Sequence, residues 1–350
     1  MILTISLFIA GLLLLVFGAD FLVRSASSIA EALGIPKLIV GLTVIAFGTS
    51  APELAISLQS AYAGSHGILV GNVVGSNIAN ILLILGISAV ILPVKVKSDI
   101  IRIDVPVMIF CGLLMLGLSY NGIISFFDAI LLLVVLILYL FFLAREARYS
   151  MIHSQKKKKK IKPFTEAFLL ILGLIMLIYG ANLMVDSAVS MAGFFGISDL
   201  VIGLTIVAVG TSLPEIAAAV AAILRREPDL VVGNILGSNI LNIVAVIGIT
   251  GLFFPASIII EEQSLFFDIP VMLVVFVACL PIFFSGFKIS RWEGFYFLAC
   301  YFTYMLFLYF YTTGAATLSY FEDAMIYFAL PLTFITLFVI SYRQWKKIDS

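Results

Sequence analysis

Two glutamates, Glu53 and Glu215, lie inside runs that otherwise suit lipid: KLIVGLTVIAFGTSAPELAIS over 37–57 and GLTIVAVGTSLPEI over 203–216. Apart from Lys37 at the edge of the first run, each glutamate is the single charged side chain of its stretch. Glu53 falls about fifteen residues into its apolar segment, roughly 22 Å of helical path and near the middle of a bilayer. An ionisable group at that depth costs about 2.5–3.5 kcal/mol on insertion scales, so it normally faces a cavity and has a partner. No basic residue lies at comparable depth in any other apolar segment. A cation is therefore the simplest missing partner. The competing explanation is a glutamate kept neutral by a proton and hydrogen-bonded within the bundle, which accounts for one such residue more easily than for two.

The neighbours of each glutamate supply oxygen. Gly48 and Gly210 loosen the helix, and Pro52 and Pro214 have no N–H to give to the carbonyl four residues back. The opened turn should direct carbonyls such as those of Ala46 and Ala208 toward a cavity, since unwound backbone at this depth must be buried in protein or line water. Thr49, Ser50, Thr211 and Ser212 add hydroxyl and carbonyl oxygens. In GSNIAN and GSNILN, Ser76 with Asn80 and Ser238 with Asn242 stand four apart, on one helix face. Close helix packing alone would also explain small and polar residues there, and Gly71, Gly75, Gly233 and Gly237 are expected to serve it. Together these positions make a cage rich in oxygen, poor in nitrogen and free of sulfur, suited to hard cations such as calcium or sodium. Cys111, Cys279 and Cys300 have no C-x-x-C spacing and read as small apolar residues. His66, placed in a short outer loop, and His153, in a linker, do not look like metal ligands.

Both glutamates belong to a duplicated segment. GADFLVRSASSIAEALGIPKLIVGLTVIAFGTSAPEL (18–54) overlies GANLMVDSAVSMAGFFGISDLVIGLTIVAVGTSLPEI (180–216) at an offset of 162, and GNVVGSNIANI (71–81) overlies GNILGSNILNI (233–243) at the same offset. Leucine and valine match by chance in apolar helices; Glu, Pro, Thr, Ser and Asn together do not.

The chain that carries this repeat has 350 residues, 63% of them hydrophobic and only 11% charged, with a mean hydropathy of +1.21. Such usage lies outside that of soluble domains and excludes a nucleic-acid-binding surface. At about 20 apolar residues per crossing, eleven spans are expected: 2–22, 38–62, 67–92, 103–119, 123–144, 164–185, 200–224, 229–254, 265–284, 293–312 and 324–342. The first lacks a basic leader and a cleavage signal and reads as a retained helix. Basic residues collect in alternate loops, at Arg24 and Lys37, Lys95 to Arg102, Arg145 to Lys160, Arg225 and Arg226, Lys288 and Arg291, and Arg343 to Lys347. The opposite loops carry Asp186, Asp199, Glu261, Glu262, Glu322 and Asp323. The positive-inside rule then places the N-terminus outside and the C-terminus in the cytoplasm of a multi-pass cell-membrane protein.

Five spans per copy force the second copy to enter the membrane from the other side, and inverted repeats of this kind recur in secondary transporters, with ion sites at the repeat interface. The expected fold is an all-α integral membrane protein: a first five-helix repeat over 1–146, a basic cytoplasmic linker over 147–163, an inverted repeat over 164–312, and an appended helix with a short tail over 313–350.

The paired GTSAPE and GTSLPE with GSNIAN and GSNILN resemble the α-repeats of the sodium/calcium exchangers, within the calcium/cation antiporter superfamily, across about residues 10–312. The resemblance implies that Glu53 and Glu215 are central calcium ligands, completed by carbonyls of Thr49 and Thr211. It implies flanking sodium sites from Ser50, Ser76, Ser212 and Ser238 with carbonyls of Ala46 and Ala208, and a centre lined by Asn80 and Asn242. Some relatives, including the potassium-dependent branch, have Asp where Asn242 stands, which argues against potassium co-transport. The implied activity is exchange of sodium for calcium, three for one, without a resident cofactor, catalytic residue or obligatory protein partner. The transported ions and the lipid bilayer are its partners. A calcium/proton antiporter, a cation channel with a glutamate ring and an intramembrane enzyme are the alternatives, the last weakened by the lack of a His, Cys or Asp beside Glu53.

Overall fold

The computed structural model describes residues 2–153, 161–194, 208–254, 256–284 and 286–313. Long apolar helices dominate: α1 (Ile2–Leu33), α2 (Lys37–Thr49), α3 (Ala51–Tyr62), α4 (His66–Ile91), α5 (Ile100–Ser119), α6 (Phe126–His153), α7 (Pro163–Phe194), α8 (Ala208–Gly210), α9 (Leu213–Leu224), α10 (Pro228–Phe253), α11 (Ser264–Phe284) and α12 (Arg291–Thr313). Among the described residues eight helices are long and apolar enough to cross a membrane, or nine when α2 and α3, bent by 42°, count as one broken span. Helix is the expected choice, because a spanning segment must satisfy its own backbone polar groups in lipid. Nine of the eleven expected spans coincide with these helices. Of the span expected over 200–224 only 208–224 is described, and the span over 324–342 lies outside the described residues, as do residues 154–160 of the linker; the linker's first part, 147–153, continues α6, which ends at His153.

The other differences from the sequence reading are local. The first helix runs on to Leu33, past residue 22, because its second half is amphipathic: Ala26 and Ala30 are buried while Arg24 and Glu31 reach the edge. Helix α7 likewise runs to Phe194, past residue 185. His66 opens α4 instead of lying in a loop, with its ring against Phe254.

Contacts between the halves are reciprocal. A methyl group built on Gly11 would stand 2.8 Å from the Gly180 carbonyl, and one on Gly180 would stand 2.8 Å from the Gly11 carbonyl; Gly18 and Gly173 repeat the relation. The lower glycine of one helix meets the upper glycine of the other, so α1 and α7 are antiparallel and their backbones nearly touch, as small residues permit in lipid. Strand β1 (Val94–Lys95) pairs with β4 (Lys288–Ile289), and β2 (Ile123–Ile124) with β3 (Ile258–Ile259), both antiparallel. The element after α4 thus pairs with the one before α12, and the element before α6 with the one after α10. Contacts in which i meets j′ and j meets i′ define an approximate two-fold axis. Even the caps repeat. The amide and hydroxyl of Ser125 donate to Asp128 at the start of α6, and those of Ser290 donate to Glu293 at the start of α12.

Burial is concentrated on the axis. The apolar window of α10 is wholly buried, whereas that of α12 is 17% buried and shows Phe295, Phe302 and Leu306 outward. Helices α4 and α10 form the inner layer, and both widen into a π-turn at the same place, Asn80–Leu85 and Asn242–Ile247. Such turns re-aim side chains and cluster at functional sites.

Candidate cation site

The two glutamates sit just past equivalent helix breaks. Helix α2 ends at Thr49, Ser50 adopts φ −82°, ψ 5°, and α3 starts at Ala51. In the second copy α8 ends at Gly210, Ser212 adopts φ −87°, ψ 4°, and α9 starts at Leu213. These angles lie in the sparsely populated bridge region. Pro52 and Pro214 therefore do not strip a bond from a continuous helix, as the sequence suggests; each is the second residue of a new helix, where a missing N–H costs nothing. Each glutamate is consequently a third helical residue, beside the free N–H groups and positive end of a helix dipole.

Glu53 is 0% exposed and Glu215 1%. Among the described residues none of their four carboxylate oxygens has a hydrogen-bond partner, and the two groups are near enough for like-charge repulsion. The described ion pairs lie elsewhere, joining Lys37 to Glu31 and Glu227 at 2.7 and 2.6 Å, Lys97 to Asp229, and Arg225 to Asp20. Burying even one uncompensated carboxylate costs several kcal/mol, roughly. Here two stand together.

Other buried oxygens without a partner among the described residues include the hydroxyls of Ser50, Ser212 and Ser238, and Oδ1 of Asn80 and Asn242. Ser76 lies beside Glu53 while donating to the Asn72 carbonyl at 2.7 Å. Thr49 lies beside Glu215, its hydroxyl donating to Asn234 Oδ1 at 3.2 Å. Thr211 is half-buried. The Ala46 carbonyl accepts the Ser50 amide at 2.9 Å and so keeps a helical bond instead of being released by the break. Ala208 is the first residue of α8. Gly233 and Gly237 pack as expected, within 2.6 Å of the Leu38 and Leu42 carbonyls by their built Cβ positions. A Cβ built on Gly71 or Gly75 meets no described atom within 4 Å beyond its own stretch of helix, and the counterparts of Leu38 and Leu42, at 200 and 204, fall outside the described residues.

The oxygens so left are those of two carboxylates with neutral hydroxyls and amides. Among the described residues there is no group of three or more His, Cys, Asp or Glu that could hold a metal. Hard monovalent or divalent cations suit such a set, and soft metals do not. A polar cavity of about 490 Å³ lined by Arg24, Glu31, Lys162, Glu166 and Glu227 contains none of these residues.

Several polar residues were passed over in the sequence although the repeat marks them. The Nδ2 of Asn72 donates to the Glu53 carbonyl at 3.0 Å and to the Ser57 hydroxyl at 3.1 Å. Asn234, its counterpart, is 1% exposed. Asn77 and Asn239 bond the central asparagines of the opposite copy. Their signal was identity at the shared offset.

Inverted helical halves meeting at two broken helices, with paired buried carboxylates between them, define a multi-pass membrane transport protein. The family described as sodium/calcium exchanger protein matches residues 3–145 and 165–310, and the chain belongs to that family. It is 40% identical over 284 residues to the inner membrane protein YrbG of Escherichia coli K12, covering 79% of this chain and 87% of the relative. It is 35% identical over 346 residues to the sodium/calcium exchanger MaX1 of Methanosarcina acetivorans, covering 86% and 97%. A solved structure of the sodium-calcium exchanger NCX_Mj superposes with a TM-score of 0.77 at 33% identity, over 87% of this chain and 98% of that one.

Proposed function

We propose that this protein exchanges sodium for calcium across the membrane by alternating access, with Glu53 and Glu215 as the shared calcium ligands. The observation that carries the reading is a pair of buried carboxylates, one from each copy and close enough to repel, whose oxygens have no hydrogen-bond partner among the described residues. Oxygens of Thr49 and Thr211 complete the calcium position. Ser50, Ser76, Ser212 and Ser238, with carbonyls of Ala46 and Ala208, hold sodium, and Asn80 and Asn242 line the centre.

Charge counting gives the coupling. Two ionised glutamates leave the empty site at about −2, which is costly to carry past low-dielectric barriers. The inward-facing and outward-facing states therefore interconvert when cations neutralise the site. One calcium brings it to about zero and three sodium ions to about +1, so a three-for-one cycle moves net charge. Potassium is not required, because Asn242 leaves the site without a third carboxylate. We further propose that the N-terminus is outside and the C-terminus cytoplasmic, that the repeats divide at the basic linker 147–163, and that calcium leaves as sodium enters. The test is calcium-45 uptake into proteoliposomes under an imposed sodium gradient, with and without potassium. Uptake should follow the sodium gradient, ignore potassium and respond to membrane potential. Uptake driven equally by a proton gradient would overturn the sodium assignment.

A further inference from the structure

Asn77 and Asn239 are wholly buried at equivalent places in the two copies. Each makes the same pair of bonds across the two-fold axis. Asn239 Oδ1 accepts the Nδ2 of Asn80 at 3.0 Å, and Asn239 Nδ2 donates to the sulfur of Met108 at 3.5 Å. Asn77 Oδ1 accepts the Nδ2 of Asn242 at 3.2 Å, and Asn77 Nδ2 donates to the sulfur of Met272 at 3.4 Å. Both methionines are 0% exposed and close matching segments, DVPVM over 104–108 and DIPVM over 268–272.

An asparagine amide has two ends of nearly equal size and opposite polarity. A cation needs the oxygen of Asn80 and of Asn242, and those oxygens are the ends left without a partner among the described residues. Were Asn239 alone turned over, its Nδ2 would meet the Nδ2 of Asn80, donor against donor. Were both turned over, they would bond again, but Asn80 would present nitrogen to the cage and Asn239 would set its oxygen against the Met108 sulfur. A thioether accepts and cannot donate. The sulfur therefore makes the two arrangements unequal, and it acts on the cage through an intervening amide.

We propose that Asn77, Asn239, Met108 and Met272 are positioning residues that hold the oxygens of Asn80 and Asn242 toward the bound cation before it arrives. The proposal rests on the exchange reading above and adds four residues to it. Setting donors in advance lowers the cost of binding, so loss of the bias should appear in affinity more than in turnover.

The experiment uses the full chain in proteoliposomes with sodium-driven calcium-45 uptake. Absence of sodium-dependent uptake in the unmodified protein would defeat the exchange reading; the positioning proposal is then judged from the calcium-dependent rise in melting temperature of the purified protein. Met108→Leu conserves volume and removes the acceptor. It should raise the calcium KM roughly three- to tenfold, the scale of one modest hydrogen bond, with kcat unchanged and the calcium-free melting temperature lowered only slightly. Asn239→Leu should raise it further; if that variant fails to fold, Met108→Leu carries the test. In an Asn80→Asp background both ends of the central side chain are oxygens and Asn239 must turn its Nδ2 to them, so its own oxygen faces the Met108 sulfur; adding Met108→Leu should then weaken calcium affinity no further and should instead relieve that contact, read by flux or, if turnover is lost, by the melting shift. An unchanged KM in Met108→Leu, or an undiminished penalty in the Asn80→Asp background, would overturn the proposal in favour of plain packing.

Discussion

The break at Ser50 and the break at Ser212 share residue types and backbone angles to within a few degrees, yet their polar surroundings are wired differently. In the first copy Asn72 ties α4 to α3 through the Glu53 carbonyl and Ser57, and Ser76 spends its proton on the Asn72 carbonyl. In the second copy Ser57 is replaced by Ala219. Among the described residues the buried Nδ2 of Asn234 then has no partner, nor has the Ser238 hydroxyl, and Asn234 Oδ1 takes the Thr49 hydroxyl of the other copy. Duplication fixed the carboxylates and the breaks, and divergence altered what fastens them. An alternating-access protein with inverted repeats needs such inequality, because identical halves in identical arrangements would open equally to both sides.

The largest expected effect tests whether the two halves make one site. Glu53→Gln and Glu215→Gln should each lower sodium-driven calcium-45 flux by about two orders of magnitude or more, since a shared divalent ion loses half its formal charge compensation in either case. Size-exclusion elution should stay monodisperse. Robust exchange in one variant would show that the copies hold separate sites. Acidification is the next largest effect. Protons neutralise the same carboxylates, so flux should fall from about pH 8 to about pH 5 and recover when calcium is raised at acid pH. A flux constant over that range, or an acid loss that calcium does not reverse, would speak against competition at the glutamates.

Much of this was legible in the chain because lipid makes polar residues conspicuous. Glu53 and Glu215 stand out as charges in apolar runs, and the offset of 162 residues pairs them before any coordinates exist. What escaped was either short or relational. Strands of two residues, such as Val94–Lys95 pairing with Lys288–Ile289, carry no periodicity. Pro52 and Gly48 announce an interruption, but not that Pro52 starts the next helix with Ser50 in the bridge region, because that depends on how α2 docks. The hydrogen-bond partners of Asn77 and Asn239 lie 165 and 159 residues away, and no local pattern specifies which end of an amide faces a cavity.

The docking of α2 on α10 brings Thr49 to Asn234, so disturbing it should separate the two wirings. A methyl group on Gly237 would lie 2.6 Å from the Leu42 carbonyl and 2.8 Å from the Ala46 side chain. Backbone there must shift, and Gly237→Ala should cost about 1–3 kcal/mol of stability, as overpacking does, seen as a lower melting temperature together with a raised calcium KM. An unchanged melting temperature would mean that α2 is not held against α10 in the populated state.

The smallest effect addresses the asymmetry itself. Ser57→Ala removes one acceptor from the Asn72 amide and should cost about 1 kcal/mol, the usual net worth of one buried hydrogen bond. Ala219→Ser offers the Nδ2 of Asn234 the acceptor it lacks and should stabilise by a similar or smaller amount. Together the two substitutions transfer the fastening from α3 to α9. If these bonds bias which side of the site is open, the single variants should move the calcium KM measured at the two membrane faces in opposite directions, and the double variant should reverse the ratio of the two. Equal KM shifts at both faces would mean that Ser57 and Ala219 tune local stability alone, and that the inequality between the halves is set by the docking of α2 on α10.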